Sequence, residues 1–231
     1  MTGSRQLPLD LPVVARYGAE DFLVSDCNER AYRFLESWPA WPDRVCVLTG
    51  PSGCGKTHLS AIFAKNSGGV MLGADEIGVA QVPALAERPS IVIEDADRLP
   101  RSESALFHLL NLAREGRTSI LVTGTGPLGE WKIETPDLLS RLRLATGLAI
   151  DPPDDSLLRV LLVKMFVDRQ LVVDTHVLDY LAPRIERSFA ACRTIVELLD
   201  KEALALGRRI TRPIAADVLR RIGVADDEAD D

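Results

Sequence analysis

No apolar run in this sequence reaches the roughly 18 residues needed to cross a bilayer, so a membrane span is not expected. The N-terminus lacks a charged stretch followed by an apolar one, which argues against a secretory leader. Cysteine is sparse: Cys27, Cys46, Cys54 and Cys192 stand apart with no C-x-x-C pair. That pattern argues against a disulfide framework or a zinc site and points to reduced thiols in the cytoplasm. Also missing is an excess of positive charge. The 27 Lys and Arg against 34 Asp and Glu leave a net charge of −7 and a pI of about 5.1. A surface that grips DNA through its phosphates carries a clustered basic excess, so sequence-specific DNA binding is not expected. There is no internal repeat, and the one biased segment is DDEADD at 226–231, which reads as a solvated, disordered end.

What is present is ordinary globular composition: 231 residues, 46% hydrophobic and 26% charged. That length supports one large domain, or a medium one with a smaller companion. Residues 26–38 suit a helix capped by Ser25 or Asp26, and WPAWPD at 38–43 breaks it. Short apolar runs then alternate with helical patterns. RVCVLTG (44–50), GVMLG (69–73), SIVIED (90–95) and TSILVTG (118–124) read as strands, and 56–66 and 102–116 as helices. This alternation predicts an α/β fold with a parallel sheet. After Pro152 and Pro153 the pattern turns helical at 154–170, 175–186, 188–207 and 213–223. The expected organisation is an extended arm at 1–12, an α/β domain at 13–151, a small helical domain at 152–223 and an acidic tail at 224–231.

GPSGCGKT at 50–57 fits G-x-x-x-x-G-K-[ST], with a strand before it and a helix after. Gly50, Gly53 and Gly55 let the backbone curl until its N–H groups point at phosphate oxygens, and the helix adds its positive end. The candidate nucleotide-binding stretch is Gly50, Pro51, Ser52, Gly53, Cys54, Gly55, Lys56, Thr57 and His58. Lys56 would reach the β- and γ-phosphates, and the Thr57 hydroxyl would hold Mg²⁺. A second acid source belongs at the end of a nearby strand, and IVIEDADRL (91–99) supplies Glu94 and Asp95. One would hold the Mg²⁺ shell and the other orient an attacking water; their order leaves the roles open.

These motifs, in this order, resemble the AAA+ ATPases of the DnaA type, and within them the DnaA-related regulators of replication initiation. The likeness spans residues 5 to 222 and implies a P-loop AAA+ domain followed by a small C-terminal helical lid. DFLVSDCNERAYRFLESW (21–38) is similar to the opening segment of that family, which makes Phe22 and Leu23 candidates for the adenine side. SILVTGTGPL (119–128) looks like the sensor-1 strand, with Thr123 or Thr125 as its polar residue. PDLLSRLRLATGLAI (136–150) resembles the arginine-finger segment; Arg141 matches the finger and Arg143 is the substitute. FAACRTIVELLDK (189–201) is similar to the sensor-2 helix, with Arg193 at the family's arginine. The resemblance implies ADP or ATP with Mg²⁺ as cofactors.

RQLPLDLP at 5–12 has prolines at 8 and 12, which a helix interior would not hold. QLPLDL resembles the peptide that docks replication factors on the DNA polymerase sliding clamp (its beta subunit). Gln6 would hydrogen-bond at one pocket while Leu7, Leu9 and Leu11 supply apolar side chains. DnaA itself continues into a DNA-reading helix-turn-helix; this sequence ends soon after Ile222 in acidic residues, so a protein partner, DnaA, is the expected target. The expectation is negative control of initiation by stimulating ATP hydrolysis on DnaA, with weak ATPase or none of its own. Two alternatives remain: an adaptor that binds DnaA without triggering hydrolysis, and an AAA+ ATPase whose own turnover drives work. Self-association and the resident nucleotide stay open.

Overall fold

The computed structural model describes residue 18 and residues 21–98, 102–116 and 118–223. The chain divides into two compact units, residues 16–152 in one and those from 153 onward in the other. In the first, five strands are joined side by side: β1 (Val45–Gly50), β2 (Val70–Gly73), β3 (Ser90–Glu94), β4 (Ser119–Thr125) and β5 (Thr146–Ala149). Their order is β2-β3-β4-β1-β5, and every pairing is parallel. Parallel neighbours need crossovers, and helices α1 (Glu29–Glu36), α2 (Lys56–Ser67), α3 (Val82–Ala86), α4 (Glu103–Glu115) and α5 (Pro136–Leu144) accompany them.

Strand alternation decides which side chains meet which helices. Val45 and Val47 of β1, Ile91 and Ile93 of β3, and Ile120 and Val122 of β4 face one side, with Leu106, Leu109, Leu110, Leu138 and Leu142. Cys46 and Leu48, Val92 and Leu121 face the other, with Leu35, Leu59, Ile62 and Phe63. Both faces are covered, which is why the strands read as continuous apolar runs rather than alternating ones. Each fully buried leucine or isoleucine contributes about 1.5–3 kcal/mol.

From residue 153 the chain is helical wherever it is regular among the described residues: α6 (Asp155–Asp168), α7 (Thr175–Leu181), α8 (Phe189–Leu206) and α9 (Arg212–Arg221). Three of the helix starts carry side-chain caps. Asp154 accepts from Leu157 N–H at 2.7 Å, Asp174 from His176 N–H at 3.2 Å, and Ser188 from Ala191 N–H at 3.1 Å.

Most boundaries shift by one or two residues from the sequence reading, helix α3 was not expected, and three other differences have a clear cause. The helix expected from residue 26 begins at Glu29, because Asn28 ties the preceding chain into a turn. Its Oδ1 accepts from Ser25 N–H at 3.0 Å and its Nδ2 donates to the Leu23 carbonyl at 2.9 Å. Helix α7 ends at Leu181 rather than 186, because Pro183 has no N–H with which to continue the ladder, although Ala182 itself stays in the α region. Strand β5 was not expected: TGLA is short, and it pairs on one side only, with β1.

Candidate functional site

Between β1 and α2 the chain makes a loop that only glycine permits at its entrance. A Cβ on Gly50 would lie 2.5 Å from the Ile150 carbonyl oxygen and 2.7 Å from Cys54 Sγ. Gly55, the residue before α2, has φ 104°, in the left-handed region. The loop closes around Lys56, which is buried; its Nζ donates to the carbonyls of Gly50 at 2.8 Å and Pro51 at 2.9 Å. The amides of Lys56 and Thr57, in the first turn of α2, have no intrahelical acceptor and carry the positive end of the helix. Pro51, Ser52 and Thr57 are exposed. Cys54 is not: burial pushes its thiol pKa up by more than the Lys56 ammonium lowers it. It therefore stays protonated near neutral pH and serves as packing, not as a nucleophile.

Strand β4 lies between the P-loop strand and the acid-bearing strand, and that order brings the polar groups together. Thr123 sits beside Glu94 because Ile93 pairs with Val122, one residue earlier on both strands. The Thr123 hydroxyl donates to Glu94 Oε1 at 3.2 Å and accepts the Asp95 N–H at 3.4 Å. Glu94 and Thr123 are buried, whereas Asp95 is exposed on a backbone with φ 56°. Thr125 instead pairs with Gly50, and it is its backbone N–H that is held, by Asp97 Oδ1 at 3.0 Å. Of the two sensor candidates, Thr123 is thus the one whose hydroxyl meets the Glu94 carboxylate and the Asp95 backbone.

Beside the loop stands an aromatic wall. Phe22 is buried, stacks on Tyr32 at 5.7 Å, and meets His58 edge-on at 5.2 Å. His58 Nε2 lies 2.9 Å from the Gly18 carbonyl oxygen. Phe22 shares one apolar cluster with Cys54 of the loop. Leu23 is half-buried, its carbonyl engaged by Asn28.

The remaining candidates stand elsewhere. Arg141, on α5, is half-buried; its guanidinium lies 5.2 Å from the Phe107 ring centroid of α4. Its carbonyl accepts from Arg114 Nη2 at 3.3 Å, and Arg114 pairs with Asp43 at 3.7 Å. Arg143 is exposed. The start of α5 is held by Glu103, whose two oxygens accept from the N–H groups of Glu134 and Thr135, each at 2.7 Å. Burial acts to raise the Glu103 pKa, but the Thr135 hydroxyl and these two amides outweigh it, and the net shift is downward. Arg193 is exposed on α8 of the helical unit. Gln6, Leu7, Leu9 and Leu11 lie outside the described residues.

The donor set fits a nucleoside phosphate with Mg²⁺. A cradle closed to any Cβ and a cation drawn inside it suit phosphate oxygens. The Thr57 hydroxyl and the carboxylates of Glu94 and Asp95 are the hard oxygen donors that Mg²⁺ prefers, one or two at a time, alongside phosphate. Sequence reasoning missed Asp97, Glu103 and Phe107. Phe107 bears on Arg141 only because α4 and α5 pack together, and no local spacing announces that.

A helix-covered parallel sheet of this order, with a P-loop at the end of one inner strand and acids two strands away, is the fold of an AAA+ ATPase domain. No family model matches the chain. The chromosomal replication initiator protein DnaA of Cereibacter sphaeroides is 29% identical over 251 aligned positions, covering 94% of this chain and 54% of the relative. The chain therefore spans about half the length of the curated relatives it matches. Domain III of the Thermotoga maritima replication initiation protein DnaA superposes with a TM-score of 0.76 at 19% identity, covering 91% of this chain and 98% of that one. AMPPCP-bound DnaA from Aquifex aeolicus gives 0.66 at 20% identity, covering 80% and 64%. The chain is thus similar to DnaA over nearly all of its own length, and shares the fold of DnaA domain III.

Proposed function

We propose that this protein is a clamp-tethered negative regulator of replication initiation, of the Hda type. It docks on the DNA polymerase sliding clamp through Gln6, Leu7, Leu9 and Leu11, and it lends Arg141 to ATP bound by a DnaA protomer. Hydrolysis there leaves the initiator inactive. The observation that carries this reading is the state of Arg141: among the described residues its guanidinium has no carboxylate partner, only the Phe107 ring. A planar, permanently charged guanidinium suits the charge that spreads over phosphate oxygens in the transition state. Supplied in trans, such an arginine raises a rate by about 10³–10⁵. In the chain's own site, Gly50–His58 with Thr123 would hold ADP or ATP, and Thr57, Glu94 and Asp95 would be the donors for Mg²⁺, which supplies charge neutralisation on the phosphates. Phe22 and Leu23 would flank the adenine. Such a regulator works in the cytoplasm.

The test is ATP hydrolysis by purified DnaA with this protein, with and without DNA-loaded clamp. Clamp-dependent stimulation that Arg141→Ala abolishes is the expected result; binding to DnaA with an unchanged rate would leave only an adaptor. A second reading, an ATPase with its own turnover, draws support from the contact of Glu94, Asp95 and Thr123. Fast hydrolysis by this chain alone would favour it.

A further inference from the structure

A surface arginine ordinarily pairs with a carboxylate or moves among many rotamers in water. Arg141 does something different: it rests on an aromatic face, its guanidinium 5.2 Å from the Phe107 centroid. Phe107 is itself partly buried against the core beneath α4 and α5, so the platform does not move freely. The backbone under the arginine is held as well, through Arg114 and its ion pair with Asp43. The choice of partner matters chemically. A carboxylate would neutralise the cation and occupy the N–H donors that a phosphate needs. A ring orders the same cation through its quadrupole while leaving charge and donors available.

From this we infer that Phe107 is a positioning residue that pre-orders the Arg141 guanidinium for a neighbouring molecule's nucleotide. The inference rests on the reading of Arg141 given under the proposed function. Phe107 touches no phosphate itself. It limits the rotamers that Arg141 must lose on engagement, and a smaller ordering cost is a faster saturated rate.

The experiment titrates this protein into ATP-loaded DnaA with DNA-loaded clamp, and reads the saturating hydrolysis rate and the half-saturating concentration separately. Four chains are compared: wild type, Arg141→Ala, Phe107→Leu and Phe107→Tyr. Phe107→Leu keeps apolar bulk and loses the ring; its saturating rate is expected to fall about two- to fivefold, the size of an exposed cation–π contact, with half-saturation unchanged. Phe107→Tyr, which keeps the ring face, is expected to retain the wild-type rate, and it decides the matter if Phe107→Leu melts early. A Phe107→Leu rate equal to or above wild type overturns the proposal. So does a change confined to half-saturation, which would make Phe107 a docking contact, or a Tyr variant as impaired as the Leu one. If Arg141→Ala leaves the rate intact, the arginine's own role fails first and the platform's falls with it.

Discussion

Two corners of the α/β unit handle cations in opposite ways. At the P-loop, Lys56 is buried and both of its recorded hydrogen bonds go to loop carbonyls, 2.8 and 2.9 Å away. At the α4–α5 corner, Arg141 is half-exposed and held by an aromatic ring. The first arrangement engages two of the ammonium's three donors within the loop, which suits a resident nucleotide on the proposed reading. The second keeps a cation ordered with no carboxylate partner among the described residues, which suits an occupant from outside on the proposed reading. On the proposed reading, one corner holds and the other lends.

The largest expected effects separate the two corners. Arg141→Ala should reduce stimulated hydrolysis on DnaA by about 10³ or more while leaving this chain's own ADP affinity within about twofold. Lys56→Ala should do the reverse in binding. Losing charge-assisted bonds of about 1.5–3 kcal/mol each weakens nucleotide affinity by at least tenfold, measured by calorimetric titration with ADP. Undiminished ADP affinity in Lys56→Ala would remove the P-loop assignment, and with it the contrast.

Next in size is Gly50→Ala. Its Cβ would meet the Ile150 backbone oxygen at 2.5 Å, and a backbone atom cannot swing aside as a side chain would. Nucleotide binding should be lost together with about 2 kcal/mol or more of stability in urea denaturation. A variant of wild-type stability that still binds ADP would show that the loop entrance is not closed.

What could be read from the sequence follows the range of each interaction. The strand–loop–helix at 45–67 is legible because its punctuation is local: an apolar run, then glycines, then a helical pattern. Strands β1, β3 and β4 are legible because burial on both faces makes each a continuous apolar stretch, and β2, half-buried at the sheet edge, is legible from the apolar Val70, Met71 and Leu72. Strand β5 is not, since TGLA has four residues, one of them glycine, and owes its form to β1. Thr123 and Thr125 lie on one face of β4, so period-two reasoning does not separate them. Only the register does, setting Thr123 at the level of Glu94 and Thr125 at Gly50. The Arg141 platform is less legible still, because Phe107 lies 34 positions earlier on a different helix.

The smallest expected effect sharpens the lending corner. Glu103 caps the start of α5, the helix that carries Arg141, through two N–H bonds of 2.7 Å. Its pKa is lowered from 4.5 because the Thr135 hydroxyl and the two amides overcome the upward pull of burial. A group whose folded pKa lies below its unfolded one stabilises the fold above the unfolded value. That contribution fades as pH falls from 4.5 through the lowered folded pKa. Glu103→Gln should therefore cost about 0.5–1.5 kcal/mol at pH 7, the net worth of a hydrogen bond. The gap from wild type in urea titrations should narrow below pH 4.5, where the carboxyl takes up a proton and resembles the amide. Stimulated hydrolysis at saturation should fall only slightly, because Phe107 and Arg114 still hold the Arg141 turn. A gap of constant size down to pH 3 would mean that the charge on Glu103 does not hold α5, and that α4 secures the arginine by packing alone.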